Sequence, residues 1–205
     1  MDENILLNTN QRVVNVNNRN VYIHDKLLEH KDIIYLEQYA INSLYKHSNK
    51  DYLDVDKPVD YKWVCELTEE ESRNIGLLDN IVRLPFFNSY SDIMIHRQYI
   101  NCSTFDVIDR IHTDYSFNNK DKELKGDVYT ALYYGNSVWQ PDWFGETHFY
   151  NDDLSEIALS IMPKPGRLVI FDGAIPHSAR TPSRGCPYPR YTYATKLFLK
   201  NNTEN

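Results

Sequence analysis

Two imidazoles, one carboxylate and one guanidinium stand out as a set: His112-Thr113-Asp114, then His177 and Arg190. Side chains alternate with period 2 on extended backbone, so His112 and Asp114 point the same way and offer one metal ion a nitrogen and an oxygen. His177, 63 residues beyond Asp114, can bring a second imidazole. Two histidines and a carboxylate make a facial triad, which suits Fe(II) and leaves the opposite coordination positions for a cosubstrate and oxygen. Arg190 leads into a strand-like stretch, and a guanidinium matches a carboxylate in a bidentate fork. A cosubstrate with two carboxyl groups needs such a cation. Each residue also has a plainer reading: HxD triplets arise by chance, a lone histidine is commonly a core residue satisfied by a carbonyl, and a strand-end arginine is commonly solvated. The ordered set, rather than any member, favours a site.

The chain that must position these groups has 205 residues, enough for one domain with a real core, and its composition marks no second one. We read 1–205 as a single catalytic domain, with a loose N-terminal arm over 1–20, mainly helical support over 21–90 and a core over 91–200. Hydrophobic residues at 41% and charged residues at 25% are the proportions of an ordinary soluble globular protein. No run approaches the roughly 20 apolar residues of a membrane span, and Met1-Asp2-Glu3-Asn4 lacks the build of a signal peptide, so a cytoplasmic location without a membrane partner is expected. Cys65, Cys102 and Cys186 are odd in number and show no CxxC spacing, which argues for reduced thiols rather than disulfides or thiolate zinc. A net charge of −7 disfavours a phosphate-binding surface and therefore nucleic acid as a partner.

Residues 1–20 are Asn-rich and read as an arm or an edge strand, followed by a short strand at 21–23. A helical pattern begins at Asp25; from Leu27 to about Tyr45, Ile33, Ile34, Leu36, Tyr39, Ala40, Ile41 and Leu44 recur at three- and four-residue steps. The stretch 47–60 is polar and turn-like. Thr68-Glu69-Glu70-Glu71 has the capping-box form and predicts a helix running through Leu78, its acids serving the helix N-terminus rather than a metal. Beyond Pro85 the chain turns extended. Strands are expected at 93–99, 128–134, 145–150, 159–162, 167–171 and 191–199, with a charged hairpin-like loop over 118–126 and an aromatic loop over 139–144. Helices first and many short strands afterwards argue for an α+β fold with a double-sheet, jelly-roll β core. His96 and His148 lie on expected strands and can be second-layer groups near a metal or ordinary strand residues. Trp139 and Trp143 can shape an entrance or simply pack.

From Ile93 to Lys200 the chain resembles the 2-oxoglutarate- and Fe(II)-dependent dioxygenases, in their prolyl-4-hydroxylase-like branch. The matching pieces are Arg97-Gln98-Tyr99, His112-Thr113-Asp114, Tyr129-Thr130-Ala131-Leu132-Tyr133-Tyr134, Gly145-Glu146-Thr147, the stretch Pro165 to Phe171, His177, and Arg190-Tyr191-Thr192. The resemblance implies a cupin-like double-stranded β-helix with N-terminal supporting helices, and His112, Asp114 and His177 as iron ligands. It implies that Arg190 and Tyr134 bind the distal carboxylate of 2-oxoglutarate, with Tyr99 and Thr130 on the wall of that pocket. Fe(II), 2-oxoglutarate and O2 follow, and ascorbate is admitted. The reaction implied is hydroxylation of a prolyl or other amino-acid side chain in a protein or peptide, with release of succinate and CO2. The same iron chemistry on nucleic acid or a small molecule, and a metal-binding jelly roll without turnover, are the alternatives. Two departures stand out: a longer interval from His177 to Arg190, within or near which Arg180, Arg184 and Lys196 are further cations, and Phe144-Gly145-Glu146 where Gly-Gly-Glu is common. Oligomeric state is not legible.

Overall fold

The computed structural model describes residues 10–48, 62–105, 107, 109–114 and 127–201. β1 (Asn10–Val16) and β2 (Arg19–Asp25) form a hairpin, so this part of the N-terminal segment is an edge strand. Its turn residues Asn17 and Asn18 have φ of 55° and 60°, a region that Asn tolerates well and that matches the twist of hairpin strands. Then come α1 (His30–Asn42), β3 (Lys46–Ser48), β4 (Lys62–Leu67), α2 (Glu69–Asn74) and α3 (Leu77–Val82). The long strand β5 (Tyr90–Ser103) leads to β6 (Asp127–Tyr134), β7 (Thr147–Tyr150), β8 (Ile157–Ile161), β9 (Leu168–Asp172), β10 (His177–Ala179) and β11 (Arg190–Asn201).

These strands form two antiparallel sheets, an eight-stranded one in the order β1-β2-β9-β6-β11-β5-β4-β3 and a three-stranded one in the order β10-β7-β8. β11 runs down the middle of the large sheet, and all its residues from Arg190 to Leu199 are buried. It therefore has two buried faces. On one, Tyr191, Tyr193, Leu197 and Leu199 join Tyr133, Leu168 and Ile170 beneath Leu36 and Ala40 of α1 and Leu77 and Ile81 of α3. The alternate positions face the small sheet, where Val21, Ile23, Tyr134, Val169 and Phe171 meet Phe149 and Ile161. The result is the expected jelly roll, an α+β fold with a largely antiparallel core. Among the described residues no helix is long and apolar enough to cross a membrane.

Several local expectations are corrected. α1 begins at His30 instead of Asp25, because the Asp25 carboxylate is taken by Arg167 (Nε 2.6 Å) and Lys164 (3.1 Å), and Lys26 has φ 61°. Of its apolar residues, Ile33, Leu36 and Ala40 are buried, whereas Ile34, Ile41 and the following Leu44 are exposed. The capping box at Thr68 forms as expected, but its helix stops at Asn74; Gly76, with φ 77°, breaks the chain into α2 and α3. β4 was not anticipated, and β3 carries a strand into 47–48, where a turn was expected. The rest of the turn-like stretch to Asp60 and the charged loop 118–126 fall outside the described residues.

The pair of bonds from Arg167 to Asp25 ties β2 to the turn before β9, and hydrogen bonds to charged groups of this kind contribute roughly 2 kcal/mol. Asp25→Asn should therefore lower stability by about that amount at neutral pH. Arg167 above all holds the Asp25 carboxyl below its ordinary value, so this stabilisation is present above the unfolded pKa and lost as pH falls through the folded one. Urea unfolding should show the two proteins converging at acid pH.

Candidate metal centre

His112 and His177 are held opposite each other by a reciprocal backbone pair, His112 N–H to His177 O at 3.0 Å and His177 N–H to His112 O at 2.9 Å. This isolated bridge adds the HTD segment to the edge of the small sheet and brings the two rings to 4.4 Å between centroids. Asp114 is fixed independently: its N–H donates to Gly173 O at 2.8 Å, and Gly173 N–H donates to Val128 O at 2.8 Å. A Cβ on Gly173 would lie 3.0 Å from Val128 Cγ1 and 3.3 Å from Asp114 Cβ, so a side chain at this crossing would press on both. The donor atoms of His112, Asp114 and His177 all lie within 4.8 Å of one another.

The imidazoles are also prepared as ligands. His112 Nδ1 lies 2.8 Å from Arg110 O, and His177 Nδ1 lies 2.9 Å from Ile175 O. A carbonyl can only accept, so each Nδ1 carries a proton, and Nε2 is the nitrogen left to meet a metal. His177 is buried against Phe171 and Phe149, with ring centroids 4.7 and 6.1 Å away. The His112 side chain is 38% exposed, so the centre opens on that side.

Asp114 lies beside two groups from the large sheet. Thr130 on β6 donates its hydroxyl to Asp114 Oδ2 at 2.6 Å, and Lys196 on β11 places its ammonium on the same oxygen and 3.2 Å from Thr130 Oγ1. Burial works to raise the Asp114 carboxyl, but Lys196, His177 and His112 outweigh it and hold the group well below the usual carboxylate range. The lysine responds in kind: burial pulls it down, and Asp114 more than restores it. Tyr99 belongs to this end of the interior, with its ring 5.8 Å from Lys196 Nζ and 4.4 Å from the Arg97 guanidinium.

The opposite end of β11 carries Arg190, which is 2% exposed. Its Nη2 donates to Thr147 Oγ1 at 3.0 Å, its guanidinium carbon lies 5.2 Å from the centre of the Tyr134 ring, and its Nε has no partner. No carboxylate among the described residues forms an ion pair with it. Tyr134 Oη is 2.7 Å from Thr147 Oγ1, so Arg190, Thr147 and Tyr134 form one polar group. Burial pushes the Tyr134 hydroxyl up despite the arginine nearby, so it stays protonated. A cavity beside Arg190 is also lined by Asn101, Ser103, Ala179 and Asp109, whose carboxylate lies 3.9 Å from His112 Nδ1.

The structure thus brings together the three expected metal ligands, and separately Tyr134 with Arg190. Thr130 and Tyr99 lie at the Asp114 end. Thr147 was not singled out as a site residue, although it is the third residue of the motif Gly145-Glu146-Thr147; the period-2 pattern with buried Phe149 points it inward. His96 stacks edge-on with Phe198, and His148 sits on β7 opposite Ser178, so neither joins the triad. Trp139 and Trp143 pack on each other at 5.7 Å, and the Trp139 indole donates to Phe144 O. Phe144 takes φ 58° and ψ −140°, a conformation that glycine adopts far more readily, and the Arg180 guanidinium lies 4.5 Å from its ring centre.

Residues 103–196 match the family model of the 2OG-Fe(II) oxygenase superfamily. No curated protein sequence matches significantly. Among solved structures, a prolyl hydroxylase from Trichoplax adhaerens in complex with a hypoxia inducible factor peptide fragment is similar over 87% of this chain and 83% of its own, with 18% identity and a TM-score of 0.59. A viral collagen prolyl hydroxylase from Paramecium Bursaria Chlorella virus-1, in its 2OG complex, is similar over 86% and 94% respectively, with 15% identity and a TM-score of 0.61. HygX from Streptomyces hygroscopicus, with nickel and 2-oxoglutarate bound, covers 87% and 82% with 10% identity and a TM-score of 0.59. At these identities the likeness carries the jelly-roll fold.

Gly145 gives the arginine pocket a sharp test. It has φ 82°, and a Cβ there would lie 3.0 Å from Trp139 Cζ2 and 3.1 Å from Arg190 Cδ. Gly145→Ala should cost about 1–3 kcal/mol through the backbone conformation and the two contacts. Chemical denaturation checks the size, and an unchanged midpoint would contradict the packing described.

Proposed function

We propose that the chain is a 2OG-Fe(II) oxygenase, the superfamily whose family model matches residues 103–196, and that it hydroxylates an amino-acid side chain in a protein or peptide, with prolyl the leading substrate. His112, Asp114 and His177 would hold Fe(II) through the two Nε2 atoms and a carboxylate oxygen. Arg190, Thr147 and Tyr134 would hold the distal carboxylate of 2-oxoglutarate. Fe(II), with 2-oxoglutarate and O2, supplies oxidising chemistry that inserts one oxygen atom into a C–H bond and releases succinate and CO2.

The observation that carries this reading is the buried guanidinium of Arg190, with an orphaned Nε and no acidic partner among the described residues. A buried charge is costly unless paired, so this pocket suits an anion that arrives from outside. The hydroxyls of Thr147 and Tyr134, now bonded to each other and to Ile161 O, would turn to donate to the same anion. The two carbonyl-bound imidazoles need no tautomer change on taking up a metal, and the apolar wall of Phe149 and Phe171 keeps water from the inner side of His177. Substrate would approach past the exposed edge of His112. Phe105 and Tyr188, both exposed, offer apolar surface to a chain segment, with the Arg184 guanidinium over the Phe105 ring. The Trichoplax adhaerens relative, which binds a peptide fragment, supports the same choice.

Protein purified without oxygen and reconstituted with Fe(II) should form succinate from 2-oxoglutarate, and a peptide library should gain one oxygen atom by mass spectrometry. His112→Ala, Asp114→Ala and His177→Ala should each abolish both signals. Arg190→Met should raise the KM for 2-oxoglutarate about 100-fold, the effect of leaving one partner of a buried charge pair unmatched. Thr147→Val should raise it about tenfold. Activity confined to methylated oligonucleotides would overturn the substrate assignment, and metal uptake without succinate would overturn the enzyme.

A further inference from the structure

Lys196 is a second buried cation on the inner face of β11, six residues from Arg190 and 8% exposed. Unlike Arg190, it is fully engaged. Its ammonium meets Asp114 Oδ2 and Thr130 Oγ1, and the face of Tyr99 covers it. Thr130 stands directly opposite Lys196 in the sheet register and donates to the same Oδ2, so that oxygen receives a charged and a neutral hydrogen bond together. Oδ1, 3.8 Å from His112 Nε2, is the carboxylate atom left for an ion. The register of β11 against β5 shifts just beyond Lys196, where His96 is the extra residue on β5, so the alternation that turns Lys196 inward is kept.

We infer that Lys196 is a built-in counter-ion of Asp114, which keeps the metal-free centre folded and lowers its affinity for a divalent cation. The inference rests on reading the triad as a metal site. Without an ion, Asp114 is a buried carboxylate, and Lys196 supplies the charge that makes its burial tolerable. With an ion in place, two cations share one carboxylate at short range in a medium of low dielectric constant, and they repel. Lys196 also draws electron density from the carboxylate that must act as donor. Both effects weaken metal binding, and neither arises from a lysine that merely fills space. Removing the lysine should leave Asp114 dependent on the metal, which raises metal affinity while it lowers metal-free stability.

The test uses Co(II) on the full chain, with its visible absorption bands reporting occupancy and no turnover needed. Lys196→Met and Lys196→Gln should bind Co(II) at least tenfold more tightly than the unaltered chain. Their thermal midpoints should fall more without metal than with saturating Co(II). Thr130→Val, which removes the neutral bond to Oδ2 and keeps the charge, should change Co(II) affinity far less. Equal or weaker binding by the lysine variants would overturn the proposal, as would equal loss of stability in both states or an affinity gain in Thr130→Val as large as theirs. A variant that folds only with Co(II) supports it, whereas failure of both lysine variants to fold even with Co(II) overturns it. An unaltered chain that takes up no Co(II) overturns the metal reading itself, whereas uptake without the gain in the variants overturns only the role of Lys196.

Discussion

The centre depends on the reciprocal backbone pair between His112 and His177. Two histidines 65 positions apart in sequence become neighbours because each is the other's hydrogen-bond partner, not because their side chains attract. The pairing also orients them. Both residues belong to one bridge of an antiparallel edge, where directly opposite residues project to the same side. Carbonyls two residues upstream of each histidine, at Arg110 and Ile175, then take the two Nδ1 protons. Backbone alone thus fixes position, ring orientation and tautomer for both imidazoles, before any metal contributes energy.

The interior of a jelly roll is a poor place for charge, yet this one holds Asp114, Lys196 and Arg190. The large sheet reconciles this by placing them at separate ends of one strand face. β11 carries Arg190 and Lys196 on the same side, with Thr192 and Ala194 between them, so short residues separate the two cations. Around each cation a hydroxyl residue from another strand mediates: Thr130 from the adjacent β6 for Lys196, and Thr147 from β7 of the small sheet for Arg190. The acid of the triad and the cation of the proposed cosubstrate pocket therefore do not neutralise each other.

How far the sequence reveals this follows from what kind of information each feature needs. The triad was legible because its residue types are rare in combination and its first half lies within one segment. Tyr134 and Arg190 were legible from their motifs and from entry into apolar strands. Thr147 lay inside a motif but went unweighed, since a threonine in a strand is ordinary until the strand's facing is known. Lys196 was visible only as one more cation, because its role depends on cross-strand register with Thr130, which no local pattern specifies. β4 was missed because it lies against an edge: Trp63 is exposed, and only Val64 and Leu67 bury strongly. The division of α2 from α3 turned on Gly76, whose helix-weakening effect is local, whereas its left-handed conformation goes with the packing of Ile75, Leu77 and Ile81 into the core on either side of it.

The choice among four cations near the last strand can now be argued on charge rather than on order in the chain. Arg180 is half exposed, faces Glu146 at 3.9 Å and covers the ring of Phe144. Arg184 is exposed, over Phe105. Water already stabilises both, so an incoming carboxylate would gain little from them. Lys196 is buried, but Asp114 has claimed it. Arg190 alone of the four is both buried and without a described acidic partner, and the aromatic loop at Trp139 approaches so closely that Gly145 must stand between them. A guanidinium sealed in this way has given up hydration without receiving an anion in return. That unbalanced charge, rather than the count of residues from His177, makes Arg190 the position where a dicarboxylate cosubstrate would gain most from binding.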